Sequence, residues 1–437
     1  MPEGRALKRL FIKGGRVVDP ASGVDGPFDV HVAGGTIAAV LPRGDDSTGR
    51  SEGAADQEVI DASGMLVLPG LVDLHTHLRE PGYEYKETVA TGAAAAKAGG
   101  FTAIACMANT EPVADNASVI RFILRKAEST GINVHPVGAV TVGLEGRSLT
   151  EMADLKEAGC VAVSDDGRPV MDPALMRRAL EYSKALGLVV ITHAEDAGFA
   201  GAGVMNEGVV STRLGLTGVP NAAEDAMVAR DVMLAELAGA RLHVAHVSTR
   251  GSVEIIRAAK ARGVKVTAEA TPHHLTLTDE AVDGYDTNAR MNPPLRSRDD
   301  VEAVTGGLAD GTIDCVATDH APHSVIEKDV EFDAAANGII GLETAFPLVY
   351  GLVEEGVIGL CEAVAAMTVK PARLLGLDHG TLRVGSSADI AIVDPERRWT
   401  VDPEKLRSRS KNTPWAGKTM KGRVEMTICR GEVVYRA

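Results

Sequence analysis

Two histidines one residue apart, His75 and His77, follow the apolar run Met65 to Leu71, and Arg79 comes two positions later. Alternate side chains of an extended strand share a face, so both imidazoles point one way, with the guanidinium beside them if the extended path continues. Two imidazoles can hold a metal ion, and a neighbouring arginine can grip an anionic group next to it. A lone His-X-His is as readily a packing pair. Here further donors recur at the ends of later apolar stretches: His193 after 188–192, His246 within 242–247 and Asp319 after 315–318. Four imidazoles and a carboxylate suit zinc or another borderline divalent ion. One ion would leave some donors idle, so two ions with a shared anionic ligand is the economical reading. Asp165 and Asp166, closing 161–164, are the candidates for sharing. They face opposite ways on a strand; the parity of Asp166 matches the small Ala162 and Ser164, which leaves Asp165 to cap the following turn.

The remaining histidines have blander readings. His243 lies three positions from His246 and should face the other way, as a packing residue. His273 and His274 could support ligands from behind. His31, His135 and His379 lack supporting neighbours and read as ordinary.

Such scattered donors converge only on a scaffold that collects strand ends. Between about 67 and 378, short apolar stretches at 102–107, 161–164, 188–192, 242–247, 264–268 and 315–318 alternate with Ala-rich helical patterns, among them 116–130, 173–186 and 251–262. This order predicts parallel strands with right-handed crossovers, and its length favours a closed (β/α)8 barrel with polar residues at the C-terminal strand ends. Both chain ends read instead as short β segments. Residues 10–12, 16–18, 28–32 and 36–40 are separated by Gly14-Gly15, Gly34-Gly35 and the polar 44–53 loop; 388–393 and 424–435 alternate like strands, with Pro395, Pro403 and Pro414 between them. Neither end suffices for a stable β unit, so the two should pair into one small sheet domain. The expected division is 1–66 and 379–437 for the sheet domain and 67–378 for the barrel.

Composition agrees. The chain has 437 residues and a formal charge of −15, which argues against nucleic acid or an anionic membrane as partner while leaving room for a small anionic substrate held by a local arginine. Hydrophobic residues make up 45% but aromatics only 3%, so the core must be built from Ala, Val, Leu and Ile, as in barrels filled by small and branched side chains. Five scattered cysteines without a Cys-X-X-Cys pair fit reduced thiols, and neither an apolar leader nor a spanning run is present, so a cytoplasmic location is expected.

The motifs His75-Thr76-His77-Leu78-Arg79-Glu80-Pro81-Gly82, Met107-Ala108-Asn109-Thr110, Asn292-Pro293-Pro294-Leu295-Arg296 and Ala317-Thr318-Asp319-His320-Ala321-Pro322-His323 resemble those of the dihydroorotases, in the amidohydrolase superfamily. The resemblance runs in order from about Leu66 to Arg373. Gly338 to Thr344 extends it, whereas Ala335-Ala336-Asn337 departs from the Pro-containing stretch expected there, a change that bears on the local loop path and not on the chemistry. It implies a metal-dependent barrel that interconverts N-carbamoyl-L-aspartate and L-dihydroorotate in pyrimidine synthesis. By motif, His75 and His77 would bind one zinc ion with Asp319, His193 and His246 a second, and Asp166 would bridge. Many relatives bridge with a carboxylated lysine; 161–166 contains none, which points to the class that uses aspartate.

The chemistry implied is hydrolysis of a ring amide. Asp319 would take a proton from the attacking water and pass it to the departing nitrogen. Arg79 would grip the substrate carboxylate, with Asn109 and His323 completing that pocket, and Asn292 would read the ring amide. An ion pair of Arg79 with Glu80 or Glu84 is the competing reading. The polar 324–337 segment could close over substrate or be an ordinary surface loop. Homo-oligomerisation is expected, and aspartate transcarbamoylase is a conceivable partner enzyme. Two other functions compete: a sibling cyclic amidase acting on hydantoins, dihydropyrimidines or allantoin, and a non-catalytic scaffold that keeps the barrel but loses its ligands.

Overall fold

The apolar run leading to His75 is two strands in two different sheets. Leu66–Pro69 belongs to a nine-stranded mixed sheet, and Leu71–Thr76 begins an eight-stranded parallel one. Gly70 makes the switch: a Cβ there would lie 2.1 Å from Thr102 Oγ1 on the adjacent strand, so no side chain fits. This computed structural model describes residues 9–45 and 57–437; the 46–53 part of the expected loop lies outside the described residues.

The parallel sheet runs in chain order through Leu71–Thr76, Phe101–Cys106, Asn133–Gly138, Ala162–Ser164, Val190–Thr192, Leu242–Val244, Val266–Ala270 and Cys315–Val316. A parallel bridge between Thr76 and His320, with the His77 N–H donating to the His320 carbonyl at 2.9 Å, brings the last strand's end back to the first. The expected TIM-like barrel is therefore present. Its interior is filled by Leu74, Ala105, Val137, Ala162, Ile191, Ala245 and Ala317, small and branched groups as the low aromatic content requires.

Local chemistry sets the connecting helices. Asn116 caps Ala117–Ala127 through the N–H groups of Ser118 and Val119. Pro173–Leu186 has Asp172 as its cap and proline at its start, and it stops at Gly187 in the left-handed region (φ +70°). Thr249 caps Arg250–Ala261.

Several expected strands are shorter or shifted. The 242–247 and 315–318 stretches are extended only over Leu242–Val244 and Cys315–Val316, because His246 (φ +34°) and Asp319 (φ +46°) take left-handed backbone beyond the strand ends. The 264–268 stretch is displaced to Val266–Ala270, which brings Glu269 into the strand. Asn133–Gly138 escapes the alternation pattern because Pro136 interrupts it. In the sheet Pro136 contributes its carbonyl, which accepts the Val161 N–H at 3.1 Å.

The nine-stranded sheet draws on both chain ends, as expected. Leu66–Pro69 pairs parallel with Arg16–Asp19 on one side and antiparallel with Ile390–Thr400 on the other. Leu10, Ile12, Val30, Ile390 and Ile428 form its core. Pro395 falls inside Ile390–Thr400 at a register irregularity, the position in a strand that tolerates a missing donor. The 424–435 stretch is two strands, Thr419–Cys429 and Glu432–Arg436, turned by Arg430 and Gly431, both at positive φ.

The 324–337 segment contains the short helix Val325–Lys328 and is tied down from below. Lys328 Nζ donates to the carbonyls of Thr287 (2.8 Å), Ala336 (2.7 Å) and Arg290 (3.4 Å), while Val325 and Ile326 stay exposed.

Candidate metal centre and substrate pocket

Six side chains from five strand ends converge inside the barrel mouth, all buried: His75, His77, Asp166, His193, His246 and Asp319. Asp166 sits between the two histidine pairs. Its Oδ1 lies 3.4 Å from His75 Nε2, 3.5 Å from His246 Nε2 and 3.7 Å from His193 Nδ1, and its Oδ2 is 3.5 Å from His77 Nε2. Asp319 Oδ1 lies 3.0 Å from His77 Nε2 and 3.5 Å from His75 Nε2. Three compact donor sets result: His75–His77–Asp166, His75–His246–Asp319 and Asp166–His193–His246. Asp166 belongs to the first and third. Asp165 turns away and accepts the N–H groups of Val140 and Thr141, at 2.8 and 2.9 Å; it caps the loop after the preceding strand, not the turn that follows it. Burial pushes its carboxyl up to about 6.

The hydrogen bonds behind the imidazoles fix which nitrogen faces inward. His75 Nδ1 donates to Glu269 Oε1 at 2.6 Å, and His77 Nδ1 donates to Asn109 Oδ1 at 2.9 Å. The Nε2 lone pairs of both rings then point at carboxylates, acceptor facing acceptor, an arrangement that calls for a cation between them. Among the described residues, His75 Nε2, Asp166 Oδ1 and His246 Nδ1 are buried without a hydrogen-bond partner. Electrostatics favour positive charge at two of the rings and not at His77, which burial holds below the usual histidine range. Burial opposes charge on His75, yet Asp166, Glu269 and Asp319 hold its ring well above the usual histidine range, and His193 is raised to about 10 against its burial by Asp166 and Glu195. Burial would likewise raise Asp166 and Asp319, but His75 and the other rings keep both carboxyls well below the usual range. The cluster thus demands positive charge, and its nitrogen and carboxylate donors are those a zinc-like ion takes. The residues fit the implied metal.

Arg79 reaches this centre by a route that strand alternation does not predict. The strand stops at Thr76, and Arg79 lies in the left-handed region (φ +59°), which swings its side chain toward the end of the 319–323 segment. Its Nε donates to the Pro322 carbonyl and its Nη2 to His323 Nε2, each at 3.2 Å. The competing ion pairs do not form. Glu80 pairs with Lys126 at 2.8 Å and Glu84 accepts the Gly82 N–H. His323 is kept neutral: burial, then the charges of Arg79 and Lys86, push its ring down to about 2. Asn292 Nδ2 lies 3.4 Å from His193 Nε2.

The remaining histidines divide as follows. His243 donates to Glu269 Oε2 at 3.1 Å and contacts Thr267. His274 is spent on Thr271 and the Pro293 carbonyl; His273 is buried, its Nε2 unpartnered and its ring held well below the usual range by burial. His31 stacks on Phe11, and His379 contacts Asp389. Sequence reasoning missed Glu269, whose signal is slight: one acid in a strand, Val266–Ala270, otherwise made of Val, Thr and Ala. It also missed Asn412, from the far end of the chain, whose side chain accepts the His323 N–H.

Comparison with known proteins follows the same lines. Residues 64–252 match a Dihydro-orotase-like family model and 212–435 an Amidohydrolase family model. The chain is 57% identical over 432 residues to a dihydroorotase of Citrifermentans bemidjiense, covering 98% of this chain and all of the relative. It is 56% identical to a dihydroorotase of Geobacter sp. strain M21, covering 98% and 99%. Among solved structures, the L-hydantoinase of Arthrobacter aurescens superposes with a TM-score of 0.87 at 27% identity, over 98% of this chain and 96% of that one. A dihydropyrimidinase of Brevibacillus agri gives 0.84 at 26%, over 98% and 95%. The hydantoinases share the architecture, but identity of this extent over the full length is with dihydroorotases. With these relatives and this fold, the chain belongs to the dihydroorotases of the amidohydrolase superfamily.

Proposed function

We propose that His75, His77, Asp166, His193, His246 and Asp319 hold one or two zinc ions, with Asp166 shared, and that this centre carries out the reversible hydrolysis of L-dihydroorotate to N-carbamoyl-L-aspartate. The supporting observation is the pair of inward Nε2 lone pairs, fixed by Glu269 and Asn109, that face the carboxylates of Asp166 and Asp319. When bound, zinc lowers the pKa of water and polarises the ring carbonyl as a Lewis acid.

The chain's own groups supply the rest. Arg79 grips the substrate carboxylate through its guanidinium. Asn109, whose Oδ1 is engaged by His77, offers Nδ2 to the same carboxylate. His323, neutral, adds no charge and orients Arg79. Asn292 presents donor and acceptor groups to the ring amide from the His193 side. Asp319 starts as a carboxylate, as its surroundings favour. It takes a proton from the water that adds to the ring carbonyl and delivers it to the ring nitrogen as the C–N bond breaks. A new carboxylate and a ureido group are left. Ring closure runs the same transfers backward.

Metal analysis of the purified protein, paired with a dihydroorotate hydrolysis assay before and after chelation, tests this reading. Activity that persists in fully metal-free protein would remove it.

Sheet membership supports a sheet domain built from both chain ends around a central barrel, but it favours a first boundary at Gly70 over one between 66 and 67, since Leu66–Pro69 pairs within the nine-stranded sheet; Leu382 and Ala388 lie in that domain's core. Five unpaired cysteines support a reducing, cytoplasmic setting, and no helix among the described residues is long and apolar enough to cross a membrane. Exposed Met233 and Leu237, one turn apart on Ala222–Ala238, support a homo-oligomer.

A further inference from the structure

Residues 406–412 have no helix or strand, yet they run across the barrel mouth and bond to both loops that carry the proposed carboxylate grip. Toward the Arg79 loop, Ser410 Oγ donates to the Lys86 carbonyl at 2.6 Å, and Glu87 accepts from Ser408 Oγ at 2.5 Å and from the Arg409 N–H. Toward the His323 loop the contact is Asn412. Only 3% exposed, it uses every polar atom of its side chain. Oδ1 accepts the His323 N–H at 3.0 Å, and Nδ2 donates to the carbonyls of Ala321 (3.0 Å) and Gly338 (2.9 Å). Its own carbonyl accepts the Ile340 N–H at 3.0 Å.

The two residues that Asn412 holds in the 319–323 segment, Ala321 and His323, flank Pro322. The Pro322 carbonyl and His323 Nε2 are in turn the two groups that hold the Arg79 guanidinium. The packing allows little slack. A Cβ on Gly338 would lie 2.5 Å from the Ala321 carbonyl oxygen and 2.7 Å from His323 Cδ2, so the strands of chain around Asn412 are in close contact. Trp415, Leu406 and Val401 pack with Ile339, Ile340 and Ala321 behind it, so the anchor itself is seated in a small apolar core. A cavity of about 680 Å³ lined by His323, Lys328, Arg409 and Asn412 opens beside this junction.

We propose that Asn412 is a positioning residue for substrate binding: from the C-terminal part of the chain it clamps Ala321-Pro322-His323, and through that tripeptide it sets the direction of the Arg79 guanidinium. A buried amide with all its hydrogen-bonding capacity satisfied suits such a role, since displacing any partner leaves a buried polar group unpaired. The proposal rests on the reading of Arg79 as the carboxylate grip. It places none of the chemistry on Asn412, which touches neither the metal cluster nor Asp319.

The test is a double-mutant cycle on the full-length, metal-loaded enzyme, read as KM and kcat for dihydroorotate with bound metal measured in parallel. Asn412→Ala is expected to raise KM at least tenfold, with kcat within about threefold of the parent and metal content unchanged. Arg79→Ala is expected to raise KM as well, and the double variant to be no worse than Arg79→Ala alone, because Asn412 acts through Arg79. Asn412→Asp keeps the acceptor for the His323 N–H and loses the donors, so an intermediate KM is expected; this variant decides the matter if Asn412→Ala fails to fold. An unchanged KM in the Asn412 variants while Arg79→Ala raises it would overturn the proposal. So would multiplicative effects in the double variant, or a fall in kcat with loss of metal. An unchanged KM in Arg79→Ala would instead remove the carboxylate reading, and the proposal with it.

Discussion

Glu269 Oε1 lies 2.6 Å from His75 Nδ1, and this one contact dictates how the first histidine of the cluster presents itself. The same carboxylate accepts from His243 Nε2 at 3.1 Å and from the His246 N–H at 3.2 Å, so it steadies donors from two strand ends. Burial would raise its carboxyl, but His75 and His243 hold it down at about 2, so it remains an acceptor at any working pH. Glu269→Gln should lower metal affinity about 10–100-fold, the usual cost of losing such a partner. Competition with a metallochromic chelator reads this directly; affinity equal to the parent would show that the bond to His75 is incidental.

Asp319→Asn keeps the side chain's shape but removes its capacity to accept a proton. Turnover should fall about 10²–10⁴-fold, the range for loss of a general acid–base group, while circular dichroism stays that of the parent. A variant with more than a tenth of parental kcat would take the proton transfer away from Asp319.

Arg79→Lys preserves charge and loses the planar fork. KM for dihydroorotate should rise by one to two orders of magnitude, on the scale of about 1.4 kcal/mol per factor of ten, with a smaller change in kcat. Steady-state kinetics in both directions check it, and an unaltered KM in each would contradict the grip.

Glu343 gives a pH-dependent prediction away from the metal. Burial raises its carboxyl from 4.5 to about 7, although its Oε1 accepts the N–H groups of Arg407 and Ser408. Between those values the folded chain holds a proton that the unfolded chain has released, so this residue makes stability fall as pH rises from 4.5 to 7. Glu343→Gln removes that slope. The Tm of the variant relative to the parent should therefore climb between pH 5 and pH 7 and level off above it; a difference independent of pH would refute the assignment.

The sequence made the barrel and its donors legible for a physical reason: strand-to-helix alternation repeats along the chain, and donors at strand ends stand out against Val, Ile and Ala. His75, His77, His193, His246 and Asp319 are singled out as candidates by their place at or just past strand ends, and Asp166 by parity beyond Ala162–Ser164; the structure brings the six side chains together. What was illegible depends on backbone that leaves regular geometry or on contacts distant in sequence. Arg79, His246 and Asp319 reach inward through left-handed backbone, which no period-2 or period-3.6 pattern encodes. Pro136 hid a strand because its lost donor is harmless only where it lies in this sheet. Glu269 and Asn412 act across 194 and 89 residues of chain, to His75 and His323, and neither has a local motif.

Enclosure of metal by six side chains is what the proposed function requires. A crystal of the zinc-loaded protein, with diffraction recorded on both sides of the zinc absorption edge, locates the ions without reference to activity. The predicted result is anomalous density enclosed by His75, His77, Asp166, His193, His246 and Asp319. Density found only elsewhere, with these six groups bonded to one another alone, would contradict it.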